Sequence, residues 1–523
     1  MKILLLEHPR KVAAERCNDI ANAPLCSCLL SGYIAAILQK DGHDVEIIEG
    51  YLERLAYDEV WARVSSAKPD ILGVHMVYTW ERDRALSAFL EKVKAELVAC
   101  IAAFGFYPTI AYRDILENCR AIDGIIAGEP ENAMSRLASS ARPQKEASDV
   151  PGFISRDVAG GFRANKAETI EDLDAMPFPV RTAALLRLPE VNILGSRGCY
   201  GRCAFCSVNA FFGRGAPWRG RRPENIMEEI DSLLGQTGLK DFYFTDANFF
   251  GPGRSGQERA MRIAALVKER KIRFGIEGRV NDIHDETIGA LADAGLRHIL
   301  IGIESGRDAS LKRLNKMTTV AQNEEAIRTL RKHGIEPNIG FIMFEPDASL
   351  EDLRCNLEFL KRNGLLQNLS VTANVLYHHQ IVLEGTEAYS RLKEKGRLVA
   401  PESSSYEGAA CFENRQVAAL AAIMRRITNK LFSSLDDVWS GRTAEPACAE
   451  GFYASLNHLL TAVFEEHLTA LEAGETLSEE EISAIVRWAE KEIETTVEKF
   501  KLPLGEGPRE DELKGAGSKE TAN

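Results

Sequence analysis

Cysteine is scarce in this sequence, eleven in 523 residues, and the total is odd. Eight of them (Cys17, Cys26, Cys28, Cys100, Cys119, Cys355, Cys411 and Cys448) are scattered with no repeating spacing. That excludes a disulfide framework and suits a reducing cytoplasm, the expected cytoplasmic location. Long apolar runs are missing too. No stretch approaches the roughly 18–20 residues of a membrane-spanning helix, so no transmembrane segment is expected. The apolar run in MKILLLEHPR is shorter than the core of a signal peptide and reads as a buried strand. Positive charge is in deficit, with 64 Lys and Arg against 77 Asp and Glu, a net −13. This argues against broad nucleic-acid binding or attraction to anionic lipid. Internal repeats and long low-complexity tracts are absent. What remains, 45% hydrophobic and 27% charged, is ordinary globular composition, enough for about two to four domains.

Over residues 1–140, short apolar runs alternate with helical stretches. The runs are KILLLE (2–7), DVEIIEG (44–50), DILGVHMVY (70–78), VACIAAFG (98–105) and AIDGIIAGEPE (121–131). Continuous apolar strands between amphipathic helices imply a parallel sheet covered on both faces, a doubly wound Rossmann-like α/β domain. Its ligand belongs at the carboxyl ends of the strands. Residues 141–190 lack the alternation and carry Pro143, Pro151, Gly160-Gly161 and MPFPVR (176–181); they read as a linker. From 191 to 395 six strand candidates return: VNILG, DFYFTDA, RFGIEGRV, RHILIGIES, NIGFIMFE and LSVTANVLY (369–377). Six units predict a partial TIM-type (β/α)6 barrel, with working residues at the strand ends. Residues 396–503 read as a helical C-terminal domain, and 504–523 as a polar, disordered tail.

The densest chemistry is CYGRCAFC, with Cys199, Cys203 and Cys206 at i, i+4 and i+7 directly after the first barrel strand. Three bland or rival readings compete: an iron–sulfur cluster, a zinc site and inert core thiols. Zinc is disfavoured because no fourth Cys or His occurs in Ser207–Arg222, and inert core because Gly198, Gly201, Arg202 and Ser207 describe a loop. Thiolates are the usual ligands of a 4Fe–4S cube, and three of them leave one iron open.

The C-x3-C-x2-C triplet, with Phe205 before its last cysteine, resembles the radical S-adenosylmethionine superfamily. That resemblance implies a 4Fe-4S cluster whose open iron chelates S-adenosylmethionine, and reductive cleavage to a 5′-deoxyadenosyl radical. It also implies cofactor-binding roles for Asp246 and Asn248 in FTDANFF, Glu277 and Arg279 in GIEGRV, and Glu304 and Ser305 in ILIGIESG. An external reductant such as flavodoxin or ferredoxin is an implied partner. A doubly wound domain ahead of such a barrel is similar to the cobalamin-binding (B12-binding) radical S-adenosylmethionine enzymes. In that likeness His8, Met76, Thr79, Phe104, Gly105, Gly128 and Glu129 line the lower face of a corrin. Two departures stand out: EHPRKVAAER follows the first strand where some cobalamin proteins carry D-x-H-x-x-G, and bulky Phe106-Tyr107 follow Phe104-Gly105. His8 and His75 are further candidates as axial ligands.

The function implied is a cobalamin-dependent methyltransferase acting on an unactivated carbon, or phosphorus, of a small-molecule substrate, with two S-adenosylmethionine molecules per turnover. The alternatives are radical cyclisation or carbon–carbon coupling and, outside enzymes, a cluster- or cobalamin-binding sensor. Tyr377 and His378, beside His379 at the sixth strand end, are the catalytic candidates. The arginines of GRGAPWRGRR (213–222) are candidates for gripping a substrate anion.

Overall fold

The computed structural model describes residues 1–9, 29–77, 84–140, 147–157, 159–213, 218–399, 409–439 and 449–500. The expected tail at 504–523 lies outside them. Two compact units contain these residues: one gathers those of 1–348 and 379–413, the other those of 349–378 and 414–500.

In the first unit, β1 (Lys2–Glu7), β2 (Asp44–Glu49), β3 (Ile71–His75), β4 (Cys100–Phe104) and β5 (Gly124–Ile126) pair in parallel. Alternate side chains serve opposite faces. Leu4, Leu6, Leu72, Val74, Ile101 and Ala103 join one core, with Val60, Val64, Phe89 and Leu90 from helices Tyr57–Ala67 and Arg84–Glu96. Ile3, Leu5, Ile71, Ala102 and Phe104 join the other, with Ile34, Leu38, Met134 and Leu137 from helices Leu30–Lys40 and Glu131–Ser139. Because β3 lies on the far side of β1 from β2, the strand order reverses at β1/β3, where a ligand crevice opens.

The stretch expected to be a linker is not bare. β6 (Phe153–Arg156) and β7 (Phe162–Ala164) continue this sheet antiparallel beyond β5. Gly160-Gly161 make the turn between them, with Asp157 N donating to Gly161 O. Val180 N of MPFPVR donates to Gly32 O at 3.0 Å, and a Cβ added at Gly32 would meet Val180 O at 2.5 Å.

The second sheet starts with β8 (Val191–Ile193). A two-residue ribbon follows, β9 (Ser196–Arg197) with β10 (Arg219–Gly220). β11 (Asp241–Phe244), β12 (Arg273–Arg279), β13 (Leu296–Glu304) and β14 (Asn338–Phe341) then add in parallel, in sequence order. Phe242, Phe244, Phe274, Ile276, Ile299 and Ile301 are buried, and the alternate positions Tyr243, Glu277, Leu300 and Gly302 share the other face.

The sixth strand expected at 369–377 is a helix, Leu369–Tyr377, in the second unit. Val371, Thr372 and Val375 gave it a strand-like composition. Asn368 instead caps it, its Oδ1 accepting from Ser370 N and Val371 N. Leu369, Thr372, Ala373 and Leu376 form one buried helical stripe. Among the described residues, the sixth position of the sheet is held only by a parallel bridge from Phe344 to His379, with Gln380 N donating to Phe344 O. The helical unit therefore includes 349–378, ahead of the expected boundary at 396. Helices Leu350–Arg362, Arg415–Trp439, Ala449–Glu472 and Glu479–Phe500 complete it. Among the described residues no helix is long and apolar enough to cross a membrane.

Candidate functional site

The cysteine loop is bolted to the carboxyl edge of the second sheet. Arg279, the last residue of β12, donates from Nη1 to Cys203 Sγ at 3.2 Å and from Nη2 to Lys316 O at 2.7 Å. Its guanidinium lies over the Tyr200 ring, 5.4 Å from the centroid. Gly201 leaves room for this guanidinium: a Cβ there would fall 2.1 Å from Arg279 Nη1, so the arginine would have to shift. Tyr200 OH donates to Asp282 Oδ1 at 2.6 Å, and Asn248 Nδ2 to Asp282 Oδ2 at 3.0 Å. Burial and the neighbouring thiols push Cys206 up to about 12. Three such sulfurs become thiolates together only if a cation compensates them, which is what a metal centre supplies.

Among the described residues no three His, Cys, Asp or Glu side chains converge as ligands of one metal ion. A cube suits the triplet, because each of its irons takes a different thiolate. Cys199, Cys203 and Cys206 are all partly exposed, and the Arg279 charge sits against Cys203. The residues fit a cluster.

Beside the loop lies a buried ion pair that the sequence reading missed in part. Lys316 Nζ donates to Glu304 Oε1 at 2.8 Å, both nearly wholly buried. Glu304 takes a left-handed φ of 64° at the end of β13, a strained geometry for a non-glycine residue. Lys316 is a further candidate for holding a ligand carboxylate; its only sequence signal was a lysine in a short turn after the GIES strand. Ser305 is buried, its Oγ accepting from Arg307 N. Phe205 is partly buried within the loop.

Other expected site residues serve the frame. Asp246 Oδ1 accepts from Gly195 N at 2.6 Å, and burial pushes its carboxyl up to about 6 despite nearby Arg259. Asn248 Oδ1 accepts from Phe250 N at 3.0 Å and closes the turn after β11. Glu277 is buried with Tyr243 OH donating to it at 3.0 Å, and burial pushes it up to about 8.

At the carboxyl edge of the first sheet, Ser31 Oγ donates to Glu7 Oε1 at 2.6 Å, and His75 Nδ1 lies 2.8 Å from Glu7 Oε2. The His75 ring stacks on Phe104 at 5.3 Å. Gly105 has φ 114°, and a Cβ there would meet His75 Cδ2 at 2.7 Å and Met76 O at 2.9 Å. Gly128, φ 77°, donates its N–H to Thr109 Oγ1 at 3.0 Å. Met76 N donates to Phe104 O, and His8 is buried with Nδ1 on Pro9 O. Flat rings and side-chain-free glycines at a switch point fit a broad planar ligand such as a corrin. Thr79 lies outside the described residues. Phe106 does not crowd this shelf: it stacks on Phe211 at 3.9 Å, against the helix Val208–Phe211 that follows the cysteine loop.

Glu129, expected to line a corrin, is engaged by protein partners. It takes Arg197 Nη1 at 2.7 Å, Arg219 Nη1 at 2.8 Å and Ile170 N at 3.0 Å, while Arg197 Nη2 reaches Glu131 at 2.5 Å. This buried quartet clamps the turn after β5 to the β9–β10 ribbon. Arg221 pairs with buried Glu229 and exposed Arg222 with Asp174. The described arginines of GRGAPWRGRR are thus spent on internal ion pairs; Arg214 lies outside the described residues. Tyr377 is wholly buried in the helical unit, 5.5 Å from the Phe432 ring, and His378 follows its helix.

Comparison with known proteins bears on the family and the fold. Residues 193–360 match the radical SAM superfamily model and residues 31–138 the B12 binding domain model. An uncharacterised methyltransferase of Pyrococcus horikoshii is 26% identical over 69% of this chain and 78% of its own length. An anaerobic magnesium-protoporphyrin IX monomethyl ester cyclase of Rubrivivax gelatinosus is 28% identical over 61% of this chain and 59% of its own. The structure of the cobalamin-dependent S-adenosylmethionine radical enzyme OxsB with aqua-cobalamin bound superposes with a TM-score of 0.75. It is 18% identical and covers 95% of this chain and 80% of that one, a likeness of fold.

Proposed function

We propose, from the premise that this chain belongs to the cobalamin-binding radical S-adenosylmethionine enzymes, that it methylates an unactivated carbon, or phosphorus, of a small molecule. Two S-adenosylmethionine molecules would be consumed per turnover. The observation that carries the reading is the pairing, within one unit, of a braced three-cysteine loop with a glycine-relieved shelf at the β1/β3 switch point. When bound, the cluster, S-adenosylmethionine and cobalamin supply radical generation and a methyl carrier, chemistry that amino-acid side chains cannot provide.

The chain's own residues bind, orient and exclude water. Cys199, Cys203 and Cys206 would hold the cluster, with Arg279 fixing the Cys203 sulfur and the loop's position. Lys316 and Glu304 offer opposite charges in a low-dielectric pocket, complementary to the carboxylate and amino group of S-adenosylmethionine. Gly105, Gly128, His75 and Phe104 would carry the corrin, the Glu7–Ser31 pair fixing the imidazole. Phe106, Phe211 and Phe212 close an aromatic seam between shelf and loop, which keeps water from reactive species.

Anaerobic reconstitution with hydroxocobalamin, followed by iron, sulfide and cobalt quantitation, tests the premise. About four irons and one cobalt per chain are expected. Product analysis with candidate acceptors then tests methylation. A product heavier by one methylene supports it. Unmethylated, ring-closed product with 5′-deoxyadenosine would move the assignment to cyclisation, the activity in the name of the Rubrivivax relative.

A further inference from the structure

A cleft of 680 Å³ lies beside the two cofactor edges without belonging to either. Three stretches of the first unit wall it: Thr109–Tyr112, Asn209-Ala210 and Glu384–Glu394. Each is tied to a site already described. Thr109 Oγ1 donates to Gly105 O at 2.8 Å and accepts from Gly128 N at 3.0 Å, which joins it to the shelf. Asn209 Nδ2 donates to Gly201 O at 3.0 Å, and Ala388 N donates to Ala204 O at 2.8 Å, both in the cysteine loop. A molecule in the cleft therefore borders both edges.

One carboxylate stands out on these walls. Thr386 N donates to Leu383 O at 3.1 Å and Gly385 takes φ 87°, the geometry of a type II turn. That turn places Glu384 on the cleft, half-buried. Among the described residues its carboxylate meets no hydrogen-bond donor and joins no ion pair. Burial pushes the carboxyl upward, against the opposing charges of Arg113 and Lys393. Both cations are exposed and lie on rings instead. Arg113 is 5.2 Å from the Tyr112 centroid, and Lys393 Nζ is 6.0 Å from that of Tyr389. Ile110, Ala210 and the buried Tyr389 give the cleft an apolar side, and exposed Glu394 adds a second carboxylate.

We propose that this cleft holds the acceptor substrate by an ammonium group carried on an apolar frame, with Glu384 as its counter-ion. The proposal rests on the methylation reading above and names the class of its substrate. The ammonium is a handle for binding, not the atom methylated. A half-buried carboxylate with no protein partner gains a charge-assisted hydrogen bond when such a group enters. The Tyr112 and Tyr389 rings favour a cation as well. A cleft of this volume is in the range that encloses most of a small ligand's surface.

The test titrates the reconstituted full chain with phenethylamine, phenylethanol and phenylpropionate, one ring carrying in turn a cation, a neutral group and an anion. Ligand-observed NMR reads the affinities. Wild type should bind the amine about tenfold more tightly than the alcohol, the effect of one charge-assisted hydrogen bond, and the anion least. Glu384→Gln should erase that preference and leave alcohol affinity, iron and cobalt unchanged. Glu387→Gln, the same charge change on an exposed residue outside the cleft, should keep it. Equal binding of amine and alcohol by wild type would overturn the proposal without any variant. So would tighter binding of the anion, or a preference that survives Glu384→Gln or is lost equally in Glu387→Gln. Loss of cobalt in Glu384→Gln would overturn it too, by assigning the cleft to the corrin. An amine preference as expected, with no amine-bearing acceptor methylated, leaves the ammonium site standing and sinks the methylation reading. Methylated product without any amine preference does the reverse.

Discussion

The two sheets of the first unit end in opposite chemistry. At the carboxyl edge of the first, polar groups satisfy one another: Glu7 takes Ser31 and His75, and His75 lies flat on Phe104. At the carboxyl edge of the second they face the loop: Arg279 donates to a thiol, and Lys316 with Glu304 forms a buried charged pair. One edge is a flat shelf with its side chains removed at Gly105 and Gly128. The other is a set of fixed charges in a medium where charge interactions are strong. A broad macrocycle needs the first, and an anionic cluster with a zwitterionic ligand needs the second.

The sharpest break removes a thiol. Cys203→Ala deletes one of the three proposed cluster ligands together with the acceptor of Arg279 Nη1. Iron and sulfide after reconstitution should fall to background, and S-adenosylmethionine cleavage should vanish. Cobalt binding should persist, because the shelf is untouched. If cobalt fell too, the two edges would not be independent.

A smaller effect is expected where the edges are clamped. Arg197→Met leaves Glu131 and one oxygen of Glu129 buried without their cation. Breaking a buried pair in this way costs about 3–5 kcal/mol, measurable as a drop in the denaturant midpoint. Replacing Arg197, Arg219, Glu129 and Glu131 together by apolar residues of similar volume should recover much of that loss, because no buried charge is then left without its partner.

The shelf itself is tested by Gly105→Ala. A Cβ at φ 114°, 2.7 Å from the His75 ring, carries a strain of order 1–3 kcal/mol. Cobalt per chain should fall while iron is unchanged. Gly128→Ala, whose Cβ would come no nearer than 3.4 Å to Phe211 O, should lose less. Equal losses would mean that the shelf does not depend on the space beside His75.

Much of this was readable before the structure, for physical reasons. Buried parallel strands such as CIAAF and VNI announce themselves as apolar runs, and a cysteine triplet has few uses. LSVTANVLY misled because β-branched residues outweighed a helical stripe that matters only once helices Arg415–Trp439 and Ala449–Glu472 pack against it. Glu129 was visible as a strand-end carboxylate. Its partners Arg197 and Arg219 lie about seventy and ninety residues away, a pairing that no local pattern encodes. Lys316 was hidden for another reason, since only 12 residues separate it from Glu304. Its place beside Glu304 depends on two left-handed residues flanking it, and neither is glycine, the usual signal for such a turn.

The last contrast, spread over several pH units, sets two carboxylates side by side. Glu7 sits with Ser31 and His75, whereas the hydrogen bond found for Glu277, on β12, comes from the Tyr243 hydroxyl. Burial pushes Glu277 from the ordinary 4.5 up to about 8, with Tyr243 opposing and Asp246 adding. The folded protein therefore holds a proton there that the unfolded chain releases between those two values. The stability this confers is full below pH 4.5 and is lost as pH rises through about 8, at most about 5 kcal/mol in all. Glu277→Gln keeps an acceptor for Tyr243 but has no proton to lose. Relative to wild type, the variant should gain stability steadily from pH 5 to 8.5 in thermal melts. If the two curves stay parallel, Glu277 is already ionised across that range, and a cation beside it must be supplying the compensation that Lys316 gives Glu304.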